Sequence, residues 1–158
     1  DERREDIRAR ASGQCVETFV SDHWTLDYDL AFSGLGRELF LAIALADNDE
    51  RIASGKDSAF GVTRQALRGW NALAGEPITA QERTSKIYAP LARGSVSKPV
   101  TAQYLARILA LTSERHSRTA DQWRGVLPNY LIEAIEFVTP DAAGANEPAA
   151  DAAPGGPD

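Results

Sequence analysis

The apolar residues Tyr28, Phe32, Leu35, Leu39 and Ile43 recur at steps of four, three, four and four. That spacing is one face of an α-helix. Thr25 stands where a helix cap is needed, and Asp27 suits the positive end of the helix that follows. Before it lies the single run with strand chemistry, Cys15-Val16-Glu17-Thr18-Phe19-Val20-Ser21, bounded by Gly13 and Asp22. β-Branched and aromatic residues favour a pleated, half-buried surface. One strand does not make a sheet. The chain is therefore expected to be mainly α with one or few strands, any sheet being completed by other sequence.

The remaining segments read as helices joined by short turns. Residues 2–12 form a charged helix ended by Gly13. In the helix begun at Thr25, Gly34 and Gly36 cost about 1 kcal/mol each relative to Ala, and in return permit close helix packing. Asp47 to Gly55 is a polar turn. A helix from Ser58 to Leu73 is closed by Gly75-Glu76-Pro77. Thr79 caps the next, through Leu91, and Glu82 completes a capping box. After the loop Gly94-Ser95-Val96-Ser97, Lys98-Pro99 opens a helix whose apolar side carries Leu105, Ile108, Leu109 and Leu111. Ser113 to Gly125 is polar, a loop or a short helix. Pro128 opens a last helix with Leu131, Ala134, Ile135 and Val138 on one face. Residues 140–158 hold four Pro, three Gly, seven Ala and no aromatic residue, so they are expected to be a disordered acidic tail to a domain spanning 1–139.

Several functions are excluded. A lone cysteine allows no internal disulfide and no thiolate zinc site. No apolar run approaches the ~20 residues of a membrane helix. Eight charges in the first ten residues exclude a secretory leader there, which points to a cytoplasmic protein. No Gly-Lys-Ser/Thr follows the glycines, so the chain has no phosphate loop. It also lacks methionine and opens at Asp1, which suggests a piece of a longer protein. Charge is unevenly spread: residues 1–50 carry a net −7, residues 51–124 a net +7 and residues 125–158 a net −6. The basic middle makes Arg64, Arg68, Arg83, Lys86 and Arg93 candidates for phosphate contact, against the plainer reading of a solvated helical surface. Trp24, Trp70 and Trp123 read as packing residues rather than base-stacking platforms, and Cys15 as a buried strand residue.

The run Phe19-Val20-Ser21-Asp22-His23-Trp24-Thr25-Leu26-Asp27-Tyr28-Asp29-Leu30-Ala31 leads from a strand into a Thr-Leu-acid-Tyr-Asp-Leu helix start. It resembles the second half of the Toprim domain in the overcoming-lysogenization-defect (OLD) family of nucleases, which join an ABC-type ATPase to a Toprim nuclease domain. Ser97 to Ala106 is similar to that family's lysine-led helix, and Pro128 to Val138 to its closing helix. The resemblance spans roughly residues 12–139 and implies the C-terminal part of an α/β Toprim-like domain.

It also implies hydrolysis of a DNA phosphodiester with two Mg²⁺ or Mn²⁺ ions, hard cations that take oxygen ligands. Asp27 corresponds to the metal-binding acid and Lys98 to the catalytic lysine, with Asp29 as a further metal ligand and Thr25 orienting the site. The family usually has Glu where this chain has Asp27. Its first Glu and its separate Asp-x-Asp have no counterpart here, so the chain alone is expected to be a poor or inactive nuclease. The implied partners are DNA, an ABC-type ATPase region, the first half of the Toprim domain and a second copy in a homodimer. Two other readings stand beside this one: a non-catalytic α-helical interaction module, and a helical DNA-binding module using residues 51–124.

Overall fold

The computed structural model describes residues 17–139 together with Glu2 and Glu5. Eight helices follow one another among these: α1 (Leu26–Phe32), α2 (Gly36–Asp47), α3 (Asp49–Ala53), α4 (Ala59–Ala74), α5 (Ala80–Ala92), α6 (Lys98–His116), α7 (Ala120–Arg124) and α8 (Asn129–Val138). The chain is thus mainly α. No strand occurs among the described residues, which corrects the expectation for residues 17–21. With no second strand beside it, this segment is held by side chains instead. Phe19 packs on Phe137 of α8 with ring centroids 5.8 Å apart. Cys15, Val16, most of the helix expected over 2–12 and the tail 140–158 lie outside the described residues.

Helix starts follow the local chemistry. Thr25 Oγ1 accepts from the Tyr28 amide at 3.3 Å, and Ser58 Oγ from the Gly61 amide at 3.0 Å. Thr79 and Glu82 form the reciprocal capping box, with bonds of 2.8 and 3.2 Å. Ser97, one residue before Lys98, caps α6.

The helix expected to run on from Thr25 breaks after Phe32. A Cβ on Gly34 would lie 2.8 Å from Val126 Cβ, and one on Gly36 would lie 2.8 Å from the Ala31 carbonyl oxygen. Both glycines therefore sit where another residue has no room, and the chain turns between them. The turn leaves Phe32 41 % exposed while Leu35, Leu39 and Ile43 are buried. The polar segment 47–55 contains the short helix α3. Likewise α6 runs on to His116, and the polar stretch after it holds α7, started by a Thr119–Gln122 capping box. α8 buries only Tyr130, in its first turn, so the face expected to pack leaves Ile135 and Val138 exposed.

α2 is the centre of the molecule and packs against α1, α4, α5 and α6. Leu39, Leu41, Ala42, Ile43 and Leu45 are all buried, as expected of a helix covered on most sides. Leu35 and Leu39 are almost wholly buried, each contributing about 1.5–3 kcal/mol. Ile87, Tyr88 and Leu91 of α5 and Leu105 of α6 complete the core beside α1. This packing brings the first turn of α1, the middle of α5 and the start of α6 together.

Candidate functional site

The first turn of α1 carries two carboxylates that face different surroundings. Asp29 is 3 % exposed. Its Oδ2 accepts from Ser21 Oγ at 2.7 Å and from the Asp22 amide at 2.8 Å. Its Oδ1 accepts from the His23 amide at 3.3 Å and lies 2.9 Å from His23 Nδ1. A carboxylate only accepts, so Nδ1 carries the hydrogen in this contact. Four donors from three consecutive residues thus fold the segment before α1 back onto the helix. His23 also stacks against Phe32, with centroids 4.5 Å apart.

Asp27 points the other way. Its Oδ2 accepts from Lys98 Nζ at 2.7 Å, across 71 residues of sequence. The pair is partly solvent-exposed, 29 % at the aspartate and 45 % at the lysine. The Asp27 carboxylate, as a hydrogen-bond acceptor, holds the Lys98 ammonium pKa above its ordinary value; burial opposes this and Tyr88 adds to it. Lys98 Nζ lies 5.5 Å from the Tyr88 ring centroid, a cation resting on an aromatic face. Tyr88 meets Tyr28 edge-on at 5.7 Å and Trp24 at 5.7 Å. Thr25, between Trp24 and α1, spends its hydroxyl on the helix cap.

Tyr130 closes the inner side. Its hydroxyl is sealed from solvent and has no partner at standard hydrogen-bond geometry, while its neighbour Ser21 gives its own proton to Asp29. Burial, then the charges of Asp29, Asp22 and Asp27, push the phenol up to about 12.

The structure brings Asp27, Lys98 and Thr25 into one neighbourhood and sets Asp29 behind them, engaged by the loop. The basic candidates have different surroundings. Arg64 and Arg68 line a groove of about 640 Å³ between α2 and α4, with Lys56 at its rim. Lys86 pairs with Glu76. The Nε of Arg83 is buried without a partner, and Arg93 is exposed at the end of α5. Among the tryptophans, Trp70 packs on Phe40 and Trp123 lies under the Arg118 guanidinium, while Trp24 meets the Tyr28 and Tyr88 rings and is 66 % exposed. Sequence reasoning missed Tyr88 and Tyr130, which carry no motif. It also missed the Ser21-Asp22-His23 donors, whose spacing from Asp29 belongs to no regular element.

Among the described residues, no three or more His, Cys, Asp or Glu side chains gather into a metal-ligand group. Asp27 offers a hard carboxylate oxygen of the kind Mg²⁺ prefers, but a single such oxygen is short of a ligand set. No helix among the described residues is long and apolar enough to cross a membrane. Comparisons with protein-family models, with curated proteins and with solved structures returned no match for this chain.

Proposed function

We propose that this chain supplies Asp27 and Lys98 to a metal-dependent phosphodiester-hydrolysing site of the OLD Toprim kind, working on DNA. The observation that carries the reading is the 2.7 Å contact between these two side chains, 71 residues apart. Each was singled out from a different sequence segment, and the fold of this chain joins them. In this reading Asp27 is one ligand of a Mg²⁺ or Mn²⁺ ion, and sequence outside the chain provides the other carboxylates. The metal, when bound, supplies charge to polarise the phosphate and to lower the pKa of water. Lys98, released from Asp27, places its ammonium against the non-bridging phosphate oxygens as charge grows there. Thr25 sets the direction of α1, and Asp29 holds the 21–23 segment so that Asp27 faces Lys98. Lys56, Arg64 and Arg68 line a groove, together with Asp47 and Asp57, and supply the cations for contacts with the DNA backbone in this reading.

The test is nicking of supercoiled plasmid by the complete protein with Mn²⁺. Asp27→Ala and Lys98→Ala are each expected to lower the rate by about 10²–10³-fold with an unchanged circular dichroism spectrum. Full activity in Asp27→Ala would sink the assignment.

A second reading, a helical interaction module, is favoured by one observation. An apolar groove of about 360 Å³ opens between α7 and α8, lined by Trp123, Leu127, Ile132 and Ile135. Concentration-dependent self-association, lost in Ile135→Asp, would support it.

A further inference from the structure

Resting on the nucleic-acid reading above, we propose that Trp24 is a stacking platform for an unpaired base of a single-stranded segment, and that the same nucleotide presents its phosphate to Lys98. Trp24 is the most exposed of the three tryptophans, and it is also firmly positioned. The buried rings of Tyr28 and Tyr88 meet it at centroid distances of 6.4 and 5.7 Å, inclined by 59° and 64°. Such inclined contacts hold the indole while most of it, 66 %, stays exposed. The residue that follows, Thr25, is the cap of α1, so the backbone on that side is fixed as well.

Tyr88 relates this indole to the cation. It lies under Lys98 Nζ and beside Trp24, so an ammonium and an exposed indole share one neighbour. In a nucleotide, one sugar likewise separates an anionic phosphate from a flat base. Stacking on an aromatic side chain tolerates any base but requires that the base be out of its duplex stack. The platform therefore selects single-stranded or locally opened substrate. Asp27 holds Lys98 and must give it up before a phosphate takes its place. Binding is accordingly to be measured with Mg²⁺ present.

The experiment uses the 158-residue chain and a fluorescein-labelled dT₁₂ oligonucleotide, read by anisotropy, with a blunt duplex of equal length as the second probe. The chain is expected to bind the single strand more tightly than the duplex. Trp24→Ala should weaken single-strand binding by about 10–100-fold, with Trp24→Phe restoring most of it. In a Trp70→Phe, Trp123→Phe variant, where Trp24 is the one remaining indole, the single strand should quench its fluorescence. This reading stands even where Trp24→Ala fails to fold. Equal binding by Trp24→Ala and the unchanged chain, or no quenching on binding, overturns the proposal. If Lys98→Ala alone then loses binding, the nucleic-acid reading survives without the platform. No oligonucleotide binding by the unchanged chain overturns both. Self-association that is lost in Trp24→Ala, with no effect of oligonucleotide, assigns the indole to a protein contact and likewise overturns it.

Discussion

The inner and outer sides of the first turn of α1 present the same chemical group in opposite states. On the inner side, Asp29 is buried and satisfied by four donors of the chain itself. On the outer side, Asp27 has one long-range partner and remains open to water. A buried carboxylate with a full set of donors is costly to disturb and has no capacity left for a ligand. An exposed ion pair contributes little to stability and exchanges partners readily. Two acids separated by one residue thus have different surroundings, Asp29 tying the 21–23 segment to α1 and Asp27 reaching across the fold to Lys98.

Asp29→Ala is the strongest way to break this comparison. It leaves the Ser21 hydroxyl, two amides and the His23 ring without their acceptor. A loss of about 3 kcal/mol in urea unfolding is expected. A loss below 1 kcal/mol would mean that the inner side is no more structural than the outer. Tyr130→Phe sharpens the inner side further. It removes a buried hydroxyl that has no partner at standard hydrogen-bond geometry, so stability at pH 7 should rise by about 1 kcal/mol. Its pH dependence has a defined sign. The folded pKa of about 12 lies above the ordinary value near 10, so between these values the folded state holds the extra proton. The phenol's contribution is whole below pH 10 and is lost as pH rises through 12. Thermal unfolding of Tyr130→Phe should show a shallower decline across that window. The smallest effect belongs to the outer side: Asp27→Asn should change stability by no more than about 1 kcal/mol. A larger loss would make the Asp27–Lys98 contact a structural one.

What the sequence made legible was mostly local. Thr25 and the Thr79–Glu82 box could be read because a helix start satisfies its amides within three or four residues. The Thr119–Gln122 box was equally readable and decides for the short helix where the polar composition left a loop or a short helix open. The break at Ser33 was not legible, since it depends on Val126, which comes from a distant segment. The outward face of α8 depends on how little of that helix meets the rest of the protein. At the site, Asp27 and Lys98 were suggested by resemblance, but no spacing rule pairs residues so far apart. Asp29, like Asp27, was suggested as a metal ligand by the resemblance. The donors that claim it come from an irregular segment that periodicity does not describe.

The unequal reach of the two contacts also sets an order of assembly. Asp29 finds its donors six to eight residues away, whereas Asp27 must wait for a lysine 71 residues on. Loop closure costs about 0.6 kcal/mol per doubling of length, so the longer closure carries an entropy penalty of roughly 2 kcal/mol more. The loop-and-helix corner thus closes at the smaller entropy cost. The ion pair forms only when the start of α6 docks. The Asp29 contacts therefore close over a shorter stretch of chain than the Asp27–Lys98 pair, which needs the start of α6.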